Sequence, residues 1–417
     1  MSAQTDSIRR FVPRVSILTA GRDRHYSVGL ASALDAAGID FDFVASDELE
    51  TPELLHSPHV RFLNLRGDQS VDASLLCKMW RVMVYYFRLL VYAVTTRSKV
   101  FHILWNNKFE LFDRTALMAF YKLLGKRIAF TAHNVNAGAR DGCDSGLNRA
   151  SLRFQYHLCD SIFVHTQKMK DELIAGFKVS PDKIVIIPFG LNNAVPNTGL
   201  TPAGARQRLG LLPEHKVILF FGNIAPYKGL QFLVEAFDKI VGRDPLMRLV
   251  IAGRPKGPPE YWRQLRDQIN AAPWRDKVIQ KIEYISDADT EVFFKAADVT
   301  ALPYVHIFQS GVLFLAFSFG LPVIAADVGS FNEEIVEGRT GFMFKPGNSG
   351  VVACALEKYF RSDLYRGLEA SRCQIQTMAN EKYSWNRVAA ITIATYSGLL
   401  HRGERPGLGA DFAGQKP

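Results

Sequence analysis

From Arg14 onward, short runs of β-branched and aromatic residues alternate with amphipathic stretches of helical period. RVSILTA (14–20) is followed by SVGLASALDAAG, whose Gly38 reads as a helix stop, and the pair opens a β-α-β unit. IDFDFVAS, VRFLNL, VFHILW, RIAFTAHN, SIFVHT and KIVIIPFG follow as strands. A stretch of Asn, Pro, Gly and Thr, NNAVPNTGLTPAG (192–204), interrupts the cycle and reads as a linker. The cycle then restarts with VILFFGN, LMRLVIAG, KVIQKIEY, DVTALPY, LPVIAAD and TGFMFKP as strands, with helical text such as GLQFLVEAFDKIV and EYWRQLRDQIN between them. Val- and Ile-rich strands spaced by helices predict parallel sheets covered on both faces, so the fold class is α/β with two Rossmann-like doubly wound domains in tandem. Ligands of such sheets sit at the carboxyl ends of the strands, which places the site in the cleft between the domains. From about Ser349 to Leu400 the text is helical, and the tail 403–417 has too little apolar content to pack and is expected to be disordered.

One segment breaks the pattern. Met79 to Val94 has 14 apolar residues of 16, yet it is shorter than the ~20 residues of a membrane span, and Arg81 and Arg88 would each cost about 3 kcal/mol near a bilayer centre. A buried or surface-lying helix is expected. Lys78 to Arg127 holds ten basic residues against Glu110 and Asp113, a local net of +8 within a chain of net +9. Mixed with Trp80, Tyr85, Tyr86, Trp105 and Phe109, this composition suits an anionic membrane surface. A core helix whose arginines pair with carboxylates or solvent is the other reading, and periodicity leaves both open.

Composition narrows the classes further. With 417 residues, 48% hydrophobic and 22% charged, the chain has length for two to three domains and ample core. Five scattered cysteines without a C-x-x-C pair exclude a disulfide framework and a cysteine zinc site. The polar start MSAQTDSIRRFVPR has no signal-peptide core, so a cytoplasmic setting is expected. The positive balance favours an anionic partner. No zinc knuckle, RNP-like aromatic motif or helix-turn-helix points to nucleic acid.

Four loops hold candidate chemistry. VILFFGNIAPYKGLQFLVEAF (217–237) runs from a buried strand through Gly222, Asn223, Lys228 and Gly229 into a helix. Such a junction offers free N–H groups and a positive dipole end to an anion, and Lys228 adds a full charge. It matches neither the Walker nor the dinucleotide fingerprint. A second junction, LPYVHIFQSGVLFLAF, places Gln309, Ser310, Gly311 and Val312 at a helix start, with Ser310 either a phosphate ligand or merely an N-cap. In the first half, His133 ends a strand ahead of a loop containing Asp141, a candidate pair for general-base or hydroxyl-binding work. Gly21 and Arg22, with Arg24 and His25, form the first strand-helix turn, which either contacts acceptor phosphate or is a solvated basic turn.

FFGNIAPYKGL, DVTALPY, FGLPVIAADVGSFNEEIVEGRTGFMF, HNVNAGARD and KIVIIPFG together resemble the retaining nucleotide-sugar glycosyltransferases of the GT4 type, which have the GT-B architecture. The resemblance covers about 14–350. It implies two Rossmann-like lobes facing across a cleft: an acceptor-binding lobe (1–192), a linker (193–213), a nucleotide-sugar-binding lobe (214–375), and a helix (376–402) crossing back to the first lobe. By that resemblance Lys228 and the Ser310–Val312 amides would hold the diphosphate of a UDP- or GDP-sugar, and His133 would sit near the sugar. No metal or other cofactor is implied. The family's glutamate pair, E-x7-E, falls in this register on Ile307 and Leu315. Gln309, and Glu333 or Glu334 from the next loop, are the candidates for the missing sugar and ribose contacts. The expected acceptor is a lipid-linked glycan in exopolysaccharide or O-antigen assembly. A phosphorylase or epimerase on the same scaffold, and a non-catalytic nucleotide-sugar sensor, are the alternatives.

Overall fold

In the computed structural model the described residues are 15–21, 23–67, 69, 74–140, 144–191, 195–307 and 309–401. Arg22, Asp141, the start of the linker and the tail lie outside them. Seven parallel strands form the first sheet: β1 (Val15–Leu18), β2 (Phe41–Ala45), β3 (Val60–Asn64), β4 (Val100–Ile103), β5 (Arg127–Thr131), β6 (Ser161–Val164) and β7 (Ile184–Ile186), in the order β3-β2-β1-β4-β5-β6-β7. The second sheet has six: β8 (Lys216–Phe221), β9 (Met247–Ala252), β10 (Val278–Lys281), β11 (Val299–Leu302), β12 (Val323–Ala326) and β13 (Gly341–Phe344), ordered β10-β9-β8-β11-β12-β13.

The strands read as continuous apolar runs because each feeds two cores. In β8, Val217 and Leu219 enter one apolar cluster while Ile218 and Phe220 enter the other, across the sheet. In β1, Val15 and Ile17 face one cluster and Leu18 its opposite. Burial on both faces is what a helix-covered parallel sheet requires. In each sheet the strand order reverses beside the first strand, between β1 and β4 and between β8 and β11, and a ligand crevice opens at such a reversal.

Seven helices bear on function: α1 (Arg24–Ala36), α2 (Leu75–Thr95), α3 (Gln167–Phe177), α4 (Leu230–Val241), α5 (Gly311–Ser318), α6 (Leu368–Lys382) and α7 (Trp385–His401). Helix α2, the basic aromatic segment, lies on the surface. Tyr85, Tyr86, Leu89, Tyr92 and Ala93 are buried against the first sheet, while Leu76, Met79, Trp80, Met83, Phe87 and Val91 stand exposed. Those positions recur every three or four residues, so the helix has an apolar stripe on each side. No helix among the described residues is long and apolar enough to cross a membrane.

The crossing back to the first lobe is made by α7, and it begins later than residue 376. Ile375, Ala379 and Tyr383 of α6 and its end still pack in the second lobe, whereas Val388, Ala389 and Tyr396 of α7 join the core of the first. The Tyr396 hydroxyl bonds the His102 ring at 2.6 Å, and Trp385 Nε1 donates to the Leu191 carbonyl at 2.8 Å. The linker is likewise shorter than its composition suggests. Val195 packs in the second lobe, Pro202–Arg208 is helical, and the Thr198 hydroxyl and amide both donate to Glu291.

The lobes meet directly as well. Thr166 caps α3 from within the first lobe, and the Glu333 carboxylate of the second lobe accepts the next two amides, from Gln167 at 2.8 Å and Lys168 at 2.9 Å. A carboxylate on the positive end of a helix is favourable on both hydrogen-bond and dipole grounds. Lys168 Nζ adds a bond to the Gly329 carbonyl at 3.0 Å.

Candidate active site

At the reversal of the second sheet, β8 and β11 each end in a turn that enters a helix, α4 and α5 respectively. The turns touch. Gly229 has φ +65°, and a Cβ there would stand 1.9 Å from the Pro303 carbonyl oxygen, so a side chain would force the two apart. The Val305 amide donates to the Tyr227 carbonyl at 2.9 Å, and Gly222 faces Val312.

Lys228 is the charge of this junction, and it is only 6% exposed. Its Nζ donates to the Tyr304 hydroxyl at 2.7 Å and lies 4.2 Å from the centroid of that ring. Among the described residues no carboxylate pairs with it. Burial lowers its pKa to about 8, because removing water disfavours the ammonium. The Tyr304 hydroxyl is in turn 3.4 Å from Ser310 Oγ. Ser310 occupies the N-cap position of α5, but its side chain accepts no bond from the helix. The first turn of α5 therefore presents its N–H groups without a side-chain cap, as an anion site would. Beside it, both amide atoms of Gln309 are buried with no hydrogen-bond partner among the described residues. A buried amide left unsatisfied is unfavourable by 1–3 kcal/mol or so, roughly, until something bonds it.

In the first lobe the site is built on histidines at neighbouring strand ends. His165 Nδ1 faces the Ile187 carbonyl at 3.1 Å, so that nitrogen carries the proton and Nε2 is an acceptor. His133 Nδ1, 3.0 Å from it, must then donate, which leaves His133 Nε2 a bare acceptor, buried and unpartnered among the described residues. The ring stacks on Trp105 at 4.2 Å and meets Tyr26 edge-on at 4.6 Å. Burial pushes the His133 pKa well below its usual value. This neutral imidazole is suited to accept a hydrogen bond from a hydroxyl rather than to hold a proton. Phe189 joins the two halves: its ring is 6.0 Å from His133 and stacks on Phe314 of α5 at 5.2 Å.

The sequence of the first lobe, residues 25–194, matches the model of Glycosyltransferase Family 4, and residues 215–362 match that of Glycosyl transferases group 1. The chain belongs to the GT4-type glycosyltransferases. A D-inositol 3-phosphate glycosyltransferase of Corynebacterium glutamicum is 29% identical over 51% of this chain and 53% of its own length. The chain thus spans about half the length of the curated relatives it matches. Over the whole fold, Anabaena HepE in complex with UDP and glucose is similar with TM-score 0.71 at 16% identity, covering 93% of this chain and 100% of HepE. Sucrose-phosphate synthase of Thermosynechococcus elongatus gives 0.74 at 18%, covering 94% and 100%. These likenesses are of fold, and they identify the two facing lobes as GT-B.

Within this fold the structure brings Asn223, Lys228, Gln309, Ser310, Gly311 and Val312 to one pair of turns, and Gly21 and His133 to the carboxyl edge of the other sheet. Glu334 goes elsewhere. Its carboxylate is bonded by Lys382 Nζ at 3.0 Å and by the Tyr383 hydroxyl, so it fastens the end of α6 and is not open to a ligand. Glu333, the other candidate, caps α3. Three participants were not placed in the site from sequence: Tyr304, His165 and Trp105, the last of which was read with the membrane-facing aromatics and instead stacks on His133. For His165 a signal existed, since it follows β6 as His133 follows β5. Trp105 and Tyr304 had none, because an aromatic after a buried strand is ordinary core text.

Proposed function

We propose that the protein transfers a sugar from a UDP- or GDP-sugar, held by the second lobe, to a lipid-linked glycan presented to the first. The observation that carries the reading is Lys228: an ammonium buried between two helix-entering turns with no carboxylate partner among the described residues. Departure of a nucleoside diphosphate builds negative charge, and an ammonium with two helix N-termini is an arrangement that stabilises it without a metal. HepE, bound to UDP and glucose, supports a nucleotide-sugar donor. The open amide of Gln309 and the bare Nε2 of His133 supply the hydrogen-bonding needed by sugar hydroxyls. Retention of configuration is the family expectation. The exposed stripe of α2 and the basic segment 78–127 support work at an anionic membrane surface.

Thermal unfolding in the presence of UDP, GDP, ADP and their sugars tests the donor, because a ligand bound only by the folded chain raises its Tm. UDP or GDP, or both, should raise it, and a flat response to all would overturn the reading. Labelled donor then separates glycoside from sugar phosphate or free epimer. A further expectation concerns pH. Free Lys228 loses its proton near 8, whereas the nucleotide phosphate is already ionised above pH 7. Affinity for the nucleotide should therefore fall about tenfold between pH 7 and pH 9, and calorimetry at the two values would show it.

A further inference from the structure

We propose that Glu333 is a positioning residue for the transfer, a catch that closes the second lobe on the first and sets the donor turns opposite His133. The proposal rests on the glycosyl-transfer reading above and names the contact that brings its two half-sites into register. At the start of α3 the Thr166 hydroxyl bonds only the third amide, that of Met169. The first two, of Gln167 and Lys168, have no acceptor within their own helix. Glu333 takes both, one with each carboxylate oxygen. Glu333, Gln167 and Lys168 are all exposed, so water can replace these bonds at small cost when the lobes part. A contact of that kind makes and breaks, as a catch between two lobes must.

Each end of the contact is tied to one half of the site by a short path. In the first lobe Thr166 directly follows His165, whose Nε2 accepts from His133 Nδ1. In the second, Glu333 belongs to a single helical turn after β12, Phe331–Glu334. Phe331 is fully buried, with its ring 5.7 Å from that of Tyr304, and Tyr304 holds Lys228. Lys382 fastens the turn from behind, its Nζ donating to the Glu333 carbonyl at 3.1 Å and to the Glu334 carboxylate at 3.0 Å. The backbone of the turn is thus fixed to the donor half while the Glu333 side chain reaches the other lobe. Two bonds from one carboxylate to successive amides define position closely, and a misplacement of about 1 Å can cost a reaction about a hundredfold in rate.

This placement separates two kinds of ligand. UDP or GDP alone occupies the donor turns of the second lobe, whereas a nucleotide-sugar extends to His133 and bonds both lobes. The sugar-bearing ligand should therefore favour the closed form and the bare nucleotide should not. Glu333 and the sugar then strengthen each other by the same factor.

The test reads hydrogen exchange at the Gln167 and Lys168 amides of the full chain, with calorimetry of UDP, UDP-glucose, GDP and GDP-mannose alongside. In the wild type both amides should exchange about tenfold or more slowly than in Glu333→Ala. Glu333→Gln, which keeps one acceptor oxygen, should fall between the two. Whichever nucleotide-sugar binds should slow the amides by a further factor of about three or more, and its bare nucleotide should not. Glu333→Ala should weaken that nucleotide-sugar by the same factor, leave UDP and GDP unchanged, and shift the Tm without ligand by less than about 4 °C. Equal exchange in the wild type and Glu333→Ala would overturn the proposal, because the carboxylate would not be on the helix in solution. A nucleotide-sugar that binds without slowing the amides would overturn it too. So would equal weakening of nucleotide and nucleotide-sugar, or a larger fall in Tm, since either makes Glu333 a prop of the fold. If none of the four ligands binds while Glu333 still protects the amides, the transfer reading falls and the catch between the lobes stands.

Discussion

Lys228→Met should abolish nucleotide binding and leave the folded protein as stable as the wild type or more so. The ammonium is buried, and burial holds its pKa at about 8 rather than 10.5. That depression corresponds to about 3 kcal/mol of unfavourable burial, which an isosteric thioether does not carry, and replacing buried charge by apolar side chains is often neutral or stabilising. Tyr304 loses a bond from Nζ but keeps the Ser310 hydroxyl at 3.4 Å. For the diphosphate the change removes the buried ammonium at the two turns, so affinity and kcat/KM should drop by two or more orders of magnitude. The check is a pair of measurements on one variant, the Tm without ligand and the nucleotide Kd. Retained affinity would remove Lys228 from the site. A large fall in Tm without ligand would make it a structural residue.

The second large effect is acid sensitivity of the first lobe. His102 and His165 are buried and His133 is half-buried with its Nε2 covered, and burial depresses each pKa, to about 3 for His102 and about 4 for His165. The unfolded chain binds these protons near pH 6.5 and the folded chain does not, so stability is full above pH 6.5 and falls as pH drops below it, for His165 until about pH 4. At pH 5 His102 and His165 each contribute about 2 kcal/mol of lost stability, or about 4 kcal/mol together, and His133 acts in the same direction. Asp113 opposes this: its pKa, raised by burial to about 6, makes the folded state the better proton acceptor there and returns about 1 kcal/mol. The net loss from the groups with these values, about 3 kcal/mol, is a large share of the stability of a domain. Denaturant unfolding at pH 7.5 and pH 5 should show it, with the transition moving to lower denaturant. A midpoint that does not move would mean that the rings are protonated in the folded state.

Much of this was legible before any coordinates. The thirteen strands follow from apolar runs bounded by turn residues, because a helix-covered parallel strand must be apolar on both faces. The two turns that enter α4 and α5 were legible because a Gly or a Ser before an apolar helix marks an N-terminus wherever it lies in the fold. The side on which α2 meets solvent was not. Its apolar residues surround the helix, so period alone cannot say which stripe packs, and only the sheet beneath Tyr85, Leu89 and Tyr92 decides it. Glu334 failed for a related reason, since a carboxylate in a loop has no sequence mark that separates a ligand contact from a bond to Lys382 and Tyr383.

The chain by itself determined two doubly wound lobes, a basic aromatic helix and a lysine beside a glycine turn, since each depends on neighbours within one strand-turn-helix unit. Tertiary structure decided which groups are left without partners. Among the described residues the Gln309 amide finds no hydrogen-bond partner, His133 keeps a bare nitrogen and Lys228 has no carboxylate, while Glu333 is drawn across to cap α3. The physical reason is that partnership of a polar group is set by what other segments bring within about 3 Å, and segments as far apart as Lys168 and Glu333 meet only in the folded chain.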